Sequence, residues 1–187
     1  FKVLFELLRR YGYEWASSLH HLSYGMVNLP SGRMKSREGT VVDADNLLEE
    51  LEGLAMQKLL RPESGIDVDE AKRSATAIAI GALNYYLANV TPRFDMLFDP
   101  NSSIEFEGNT GPYIQYACVR AGSILTKAKE LEEVWDLDAY TSDEAFALIK
   151  TLIEFPNVVK AAAEQYNPAL LTAALYNTAK AFSAFYM

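Results

Sequence analysis

"NLPSGRMKSREGTVVD", residues 28–43, decides how the first third of this chain folds. Pro30 and Gly32 open the run and Gly39 closes it, a pattern that favours a loop over any regular element. Between the breakers, Arg33, Lys35 and Arg37 alternate with Met34 and Ser36. Immediately upstream, "SLHHLSYGMVNL" alternates. Leu22, Tyr24 and Met26 point one way and His21, Ser23 and Val27 the other, which predicts a strand ending near Leu29. Downstream, Asp43 or Asp45 caps a helix carrying Leu47, Leu48, Leu51 and Leu54. At the start of the chain, Val3, Leu4, Leu7 and Leu8 form one apolar stripe, and Gly12 ends that helix. Helix, strand, loop, helix is an order that suits an α/β sheet.

The texture then changes. "RPESGIDVD" (61–69) has the composition of a linker, and Asp67 with Glu70 forms a capping box with Asp in place of Ser or Thr. An Ala-rich helix is predicted from Val68 to about Val90. An irregular segment follows, with a short strand expected at Ser103–Phe106. Thr110 caps the next helix, with Pro112 in its first turn, and the pattern runs to about Glu133. Thr141 and Glu144 make a second capping box, for a helix that Pro156 is expected to break. A further helix reaches Tyr166, and Asn167–Pro168 starts the last. From residue 68 onward this reads as a helical bundle.

Half of the 187 residues are apolar and 12% are aromatic, enough to build a core. One cysteine, Cys118, excludes an internal disulfide and fits a reducing compartment. No run approaches the ~20 apolar residues of a membrane helix. The chain begins at Phe1 inside one helical pattern and stops at "AKAFSAFYM" inside another, so a piece of a longer protein is expected. Charge is uneven. Residues 1–37 hold six Lys/Arg against two Asp/Glu, whereas the whole chain has net charge -8. Such a chain is no general polyanion binder, so any phosphate site must be local.

The cationic run has two readings. It is a solvated turn, or it is an anion clamp at the carboxyl end of a strand, where open α/β sheets bind ligands. Arg33, Lys35 and Arg37 would then meet phosphate oxygens with charge-assisted hydrogen bonds, as phosphoryl or nucleotidyl transfer requires.

Resemblance separates the two. "GRMKSREGTVV" resembles the Lys-Met-Ser-Lys-Ser loop of class I aminoacyl-tRNA synthetases in its arginyl form, roughly Gly-Lys-Met-Ser-Thr-Arg-Lys-Gly and two small apolar residues. "LHHLSYGMV" and "DADNLLEE" resemble the strand before that loop and the helix after it. "NTGPYIQYACVRAGSIL" (109–125) resembles the Thr-Gly-Pro-Tyr-x-Gln-Tyr-Ala-x-x-Arg segment that opens the arginyl family's anticodon-binding domain. "IGALNYYLANVTPRFDMLFD" is similar to its linking helix and Phe-Asp turn. The resemblance covers nearly the whole chain.

The implied fold is mainly α: a remnant of an α/β nucleotide-binding (Rossmann-like) domain followed by an α-helical anticodon-binding bundle. Residues 1–60 would belong to the catalytic domain with its loop at 32–39, residues 61–108 to a linker and connecting helix, and residues 109–187 to the bundle. Arg33 stands where the family often has its first Lys, Lys35 where it usually has Ser, and Ser36 where it usually has Thr. The motif's second Lys is absent, and Lys35 and Arg37 are expected to share its task. Met34 lies in the loop that closes on ATP. The backbones of Met26 and Val27 stand where the family holds adenine. In the second motif, Tyr113, Tyr116 and Arg120 share one helix face at i, i+3, i+7, flanked by Gln115. The resemblance turns that face, with Asn109 and Gly111 in the preceding turn, toward tRNA, where unpaired bases stack on aromatic rings. Each tyrosine could equally be core. Phe182, Phe185 and Tyr186, and the small Cys118, read as buried. His20 and His21, adjacent on a strand, cannot both enter one site, and no metal site is expected.

The resemblance implies an arginine–tRNA ligase. Its partners would be ATP (with Mg2+), arginine and tRNA(Arg), with no tightly bound cofactor, in a cytoplasmic monomer. The His-Ile-Gly-His motif of class I is absent from these 187 residues, so the piece alone is expected to be inactive. A cysteinyl-type synthetase and a non-catalytic helical RNA- or protein-binding module are the alternatives.

Overall fold

The computed structural model describes residues 1–30, 43–61, 65–128 and 141–187. The cationic loop, with Arg33, Met34, Lys35, Ser36 and Arg37, lies outside the described residues. Seven helices and two short strands occur among the described residues. In order they are α1 (Lys2–Arg10), β1 (Val27–Asn28), α2 (Ala44–Leu59), α3 (Val68–Ala88), β2 (Met96–Leu97), α4 (Pro100–Ser103), α5 (Gly111–Ala128), α6 (Asp143–Glu164) and α7 (Ala169–Tyr186).

Local chemistry sets the helix starts. Asp43 accepts the Asp45 amide at 3.3 Å, and Asp67 accepts the amides of Asp69 and Glu70 at 3.0 and 3.4 Å. Each side chain satisfies a donor that has no partner inside its own helix. Thr110 Oγ1 accepts the Tyr113 amide at 3.3 Å, and Pro112 fits the first turn because its missing N–H would have no helical acceptor there. The cap of α6 falls one residue later than the Thr141 expectation. Ser142 accepts the Ala145 amide at 3.1 Å.

Three expectations are overturned. Only Val27–Asn28 of the predicted strand is paired, because its parallel partner β2 is itself two residues long. The strand expected at 103–106 is instead preceded by a helical turn, α4. Asp99 caps it by accepting the Asn101 amide at 3.1 Å, with Pro100 at its first position. Pro156 does not break the chain but lies inside α6. A proline removes one i→i−4 hydrogen bond, and the packing of α6 against α7 offsets that local cost.

The core joins the two strands to the helices that follow them. Leu29, Leu51, Ala55, Phe98 and Ile104 are buried together with Ala75, Ala79 and Ala82 of α3. The alanines, with Ala71, recur at helical spacing, so α3 presents a face without bulk and α2 approaches it closely. Gly25 is needed where the chain enters β1. A Cβ there would collide with the Phe94 carbonyl, and the Gly25 amide donates to Pro92 O at 2.6 Å. Lys58 and Glu105, 2.8 Å apart, tie the end of α2 to the segment before α5. Beyond α5, α6 and α7 pack side by side as a helical pair. No helix among the described residues is long and apolar enough to cross a membrane.

Candidate functional site

Helix α5 carries the second motif, and its two sides are used differently. On the inner side, Gly111 meets Gly81 of α3. A Cβ on Gly111 would lie 2.8 Å from the Gly81 carbonyl carbon, so two glycines let the backbones touch. Gln115 fills the space left beside Gly81 and donates from Nε2 to Ala77 O at 2.9 Å. Its Oε1 is buried without a partner among the described residues. Asn109 lies at the surface, but its Oδ1 accepts a short hydrogen bond from the Tyr85 hydroxyl. Tyr85 also points at Thr172 O of α7, 3.0 Å away, and the Thr172 hydroxyl reaches Asn89 Oδ1 at 3.1 Å. This network ties α3, the turn before α5 and α7 together. Burial pushes the Tyr85 phenol up to about 12, and the nearby Tyr176 acts in the same direction.

On the outer side, Tyr116 is 50% exposed. Arg120, one turn further on, places its guanidinium 5.6 Å from the Tyr116 ring centroid and 4.1 Å from that of Tyr186 on α7. Tyr186 is 51% exposed. Two half-exposed rings thus hold one partly buried cation between them, a cation–π arrangement that fixes the side chain. Tyr113 shares the face by spacing but turns toward α7. Its ring lies 5.7 Å from that of Tyr176, and its hydroxyl reaches Ser183 Oγ at 3.4 Å. The structure therefore brings Tyr116 and Arg120 together with Tyr186. It sets Tyr113, Gln115 and Gly111 into helix contacts.

Tyr186 and Phe185 were expected in the core and are exposed, while Phe182 is half-buried. Sequence periodicity could not rank the faces of a helix that is apolar nearly all round. Cys118, also expected to be buried, is exposed, since it falls one position beyond the inward Ala117. Tyr85 and Asn89 carry no local signal of their part in the network.

The strand end has a geometry of its own. The Met26 amide donates to Asp95 Oδ1 at 2.7 Å, and its carbonyl accepts from the Met96 amide at 2.9 Å. Asn28 O accepts from the Phe98 amide at 2.7 Å. In a parallel ladder the residue between two such acceptors directs its N–H and C=O away from the partner strand. Val27 therefore offers its peptide groups to the edge where, among the described residues, no strand pairs. His20 and His21 lie outside any strand, and although their rings stack on different partners both line one cavity, so the expectation that they cannot share a site is overturned. His20 stacks on Tyr166 at 4.0 Å and His21 on Phe1 at 3.9 Å.

The comparisons follow the same two-part order. Residues 1–96 match the family model for tRNA synthetases class I (R), catalytic domain, and residues 114–187 match the DALR anticodon binding domain. A nucleotide-domain remnant ahead of a helical anticodon-binding unit is the arrangement of a class I aminoacyl-tRNA synthetase. The chain belongs to the arginyl, or R, family of that class. It is 49% identical to the arginine–tRNA ligase of Treponema denticola and 46% identical to that of Treponema pallidum. Each match covers 100% of this chain and 33% of the relative, so the chain spans about a third of the length of these curated relatives. The solved structure of Thermus thermophilus arginyl-tRNA synthetase matches with a TM-score of 0.83 and 31% identity, over 98% of this chain and 30% of that one.

Proposed function

We propose that the chain is part of an arginine–tRNA ligase, which activates arginine with ATP and esterifies the terminal adenosine of tRNA(Arg). In the first step the arginine carboxylate attacks the α-phosphorus of ATP. A bond forms between a carboxylate oxygen and the α-phosphorus, the bond from that phosphorus to the oxygen bridging to the β-phosphate breaks, and pyrophosphate leaves with the bridging oxygen. Negative charge builds on the transferring group, and Arg33, Lys35 and Arg37, with Ser36 and Met34 in the same loop, meet it. Mg2+ enters with ATP as part of the substrate. Val27 offers peptide groups to the adenine edge, whereas those of Met26 are engaged by Asp95 and Met96. A ribose hydroxyl of the tRNA then attacks the arginyl carbonyl carbon of the adenylate, the ester forms, and AMP leaves with the former carboxylate–phosphate oxygen.

The observation that carries the tRNA half of this reading is the open Tyr116–Arg120–Tyr186 cluster. It offers exposed rings for unpaired bases and a fixed guanidinium for phosphate or base edges. Asn109, Gly111, Gln115 and Tyr113 act on tRNA by holding α5 in place. We divide the chain into a catalytic part at 1–60, a connecting part at 61–108 and a bundle at 109–187. A cytoplasmic monomer without a resident cofactor suits this reading. The 187 residues alone, lacking His-Ile-Gly-His, should not charge tRNA.

The test uses the full-length protein, with arginine, ATP and tRNA(Arg) present. It should form arginyl-tRNA. Lys35→Ala or Arg37→Ala should lower the rate at saturating substrate far more than arginine affinity, because loop cations act where charge develops. Full rates in both variants would return the loop to a solvated turn. No arginyl-tRNA from the wild type would sink the assignment.

A further inference from the structure

At the junction between the two halves lies a cavity of about 360 Å3 that the reading above does not use. It is lined by His20 and His21 from the segment before β1, by Arg93 from the turn after α3, and by Gln165, Tyr166 and Asn167 between α6 and α7. Its lining includes no acidic residue, in a chain of net charge -8. Asp95, the carboxylate next along the chain from Arg93, is committed to the Met26 amide. Among the described residues no carboxylate pairs with Arg93, whose guanidinium rests 5.1 Å from the Phe94 ring centroid. Tyr166, at φ 49, is the sole non-glycine residue with positive φ among the described residues, and its ring stacks on His20. Left-handed backbone is costly for a side chain with a Cβ, so this turn is held by its surroundings rather than by preference.

We infer that this cavity takes a backbone phosphate of the tRNA. Arg93 supplies the paired N–H groups, and His20, His21, Gln165 and Asn167 offer further donors. The position suits a second contact on a ligand already held elsewhere. The cavity lies at the start of α7 and the Arg120–Tyr186 cluster at the other end of that 18-residue helix. That separation is about 27 Å along the helix, comparable with one turn of double-stranded RNA. A tRNA whose unpaired bases stack at one end of α7 would bring its stem backbone past the other end. The inference rests on the tRNA reading above.

The test measures tRNA affinity of the full-length protein across a salt series, for wild type, Arg93→Ala, Arg93→Lys and Tyr116→Ala. Losing one phosphate contact should reduce the slope of log affinity against log salt by about 0.7–0.9. Arg93→Ala should show that smaller slope and weaker binding at low salt, with an unchanged melting temperature. Arg93→Lys should keep the slope. If Arg93→Ala binds with wild-type affinity and slope while Tyr116→Ala is weakened, the cavity is not a tRNA phosphate site and the tRNA reading stands. If Arg93→Ala alters ATP affinity and leaves tRNA untouched, the phosphate belongs to the nucleotide and the inference is overturned. If the wild type fails to bind tRNA, the functional reading falls and this inference with it.

Discussion

The two sides of α5 differ in what their residues are allowed to be. The inner side, Gly111 and Gln115 against Gly81 and Ala77 of α3, is built from contacts with no slack. The outer side, Tyr116 and Arg120 with Tyr186 of α7, is built from large side chains, the two rings half in solvent and the cation partly covered between them. They come from one unbroken stretch of sequence, so a single motif specifies both an anchor and a surface. A signature segment can thus spend some residues on fixing its helix and leave others at the surface.

If that contrast is right, the inner side should fail first under substitution. Gly111→Ala has the largest expected effect. The added Cβ meets backbone, not a flexible side chain, so α3 and α5 must separate. Alanine's better helix propensity is worth only about 1 kcal/mol over glycine, and the overpacking cost, about 3 kcal/mol at a site that cannot give, outweighs it. Chemical denaturation should therefore show a clearly destabilised protein. A neutral or stabilised variant would mean that the helices do not meet at these glycines.

Tyr85→Phe should cost less, about 1–3 kcal/mol near neutral pH, by removing the one hydroxyl proton that Asn109 Oδ1 and the buried Thr172 carbonyl share. Its pH dependence sharpens the test. The folded phenol is pushed up to about 12 from an ordinary value of 10.0, so the folded state keeps its proton where the unfolded chain loses one. The contribution is fully present below pH 10 and is lost as pH rises toward 12. The stability advantage of wild type over Tyr85→Phe should shrink across that window in parallel denaturation series. A constant gap would place the hydroxyl outside the network.

Much of this was legible in the sequence, for a local reason. Asp43, Asp67 and Thr110 cap helices through bonds to residues two or three positions on, so their chemistry can be read in a short window. The spacing of Tyr116 and Arg120 put them on one face for the same reason. What could not be read depends on distant partners. Gln115 meets Ala77, 38 positions away, and Tyr85 meets Thr172, 87 positions away. Arg120 finds Tyr186 on a helix whose apolar residues point in most directions, so no periodicity set Tyr186 apart from the core. Pro156 is tolerated because α7 supports α6 from outside, which the breaker rule does not see.

The smallest expected change in stability belongs to Tyr116→Ala, and it is paired with the change that matters most for function. Tyr116 is half exposed, so its loss should leave the melting temperature of the full-length protein where it was. Stacking on one base is worth about 1–3 kcal/mol, so tRNA affinity should fall roughly 5- to 150-fold. Melting temperature and tRNA dissociation constant, measured on the same preparation, test the two-sided account of α5 most directly. The account predicts an unchanged melting temperature and weakened binding. An early-melting variant whose folded molecules bind tRNA with full affinity would contradict it.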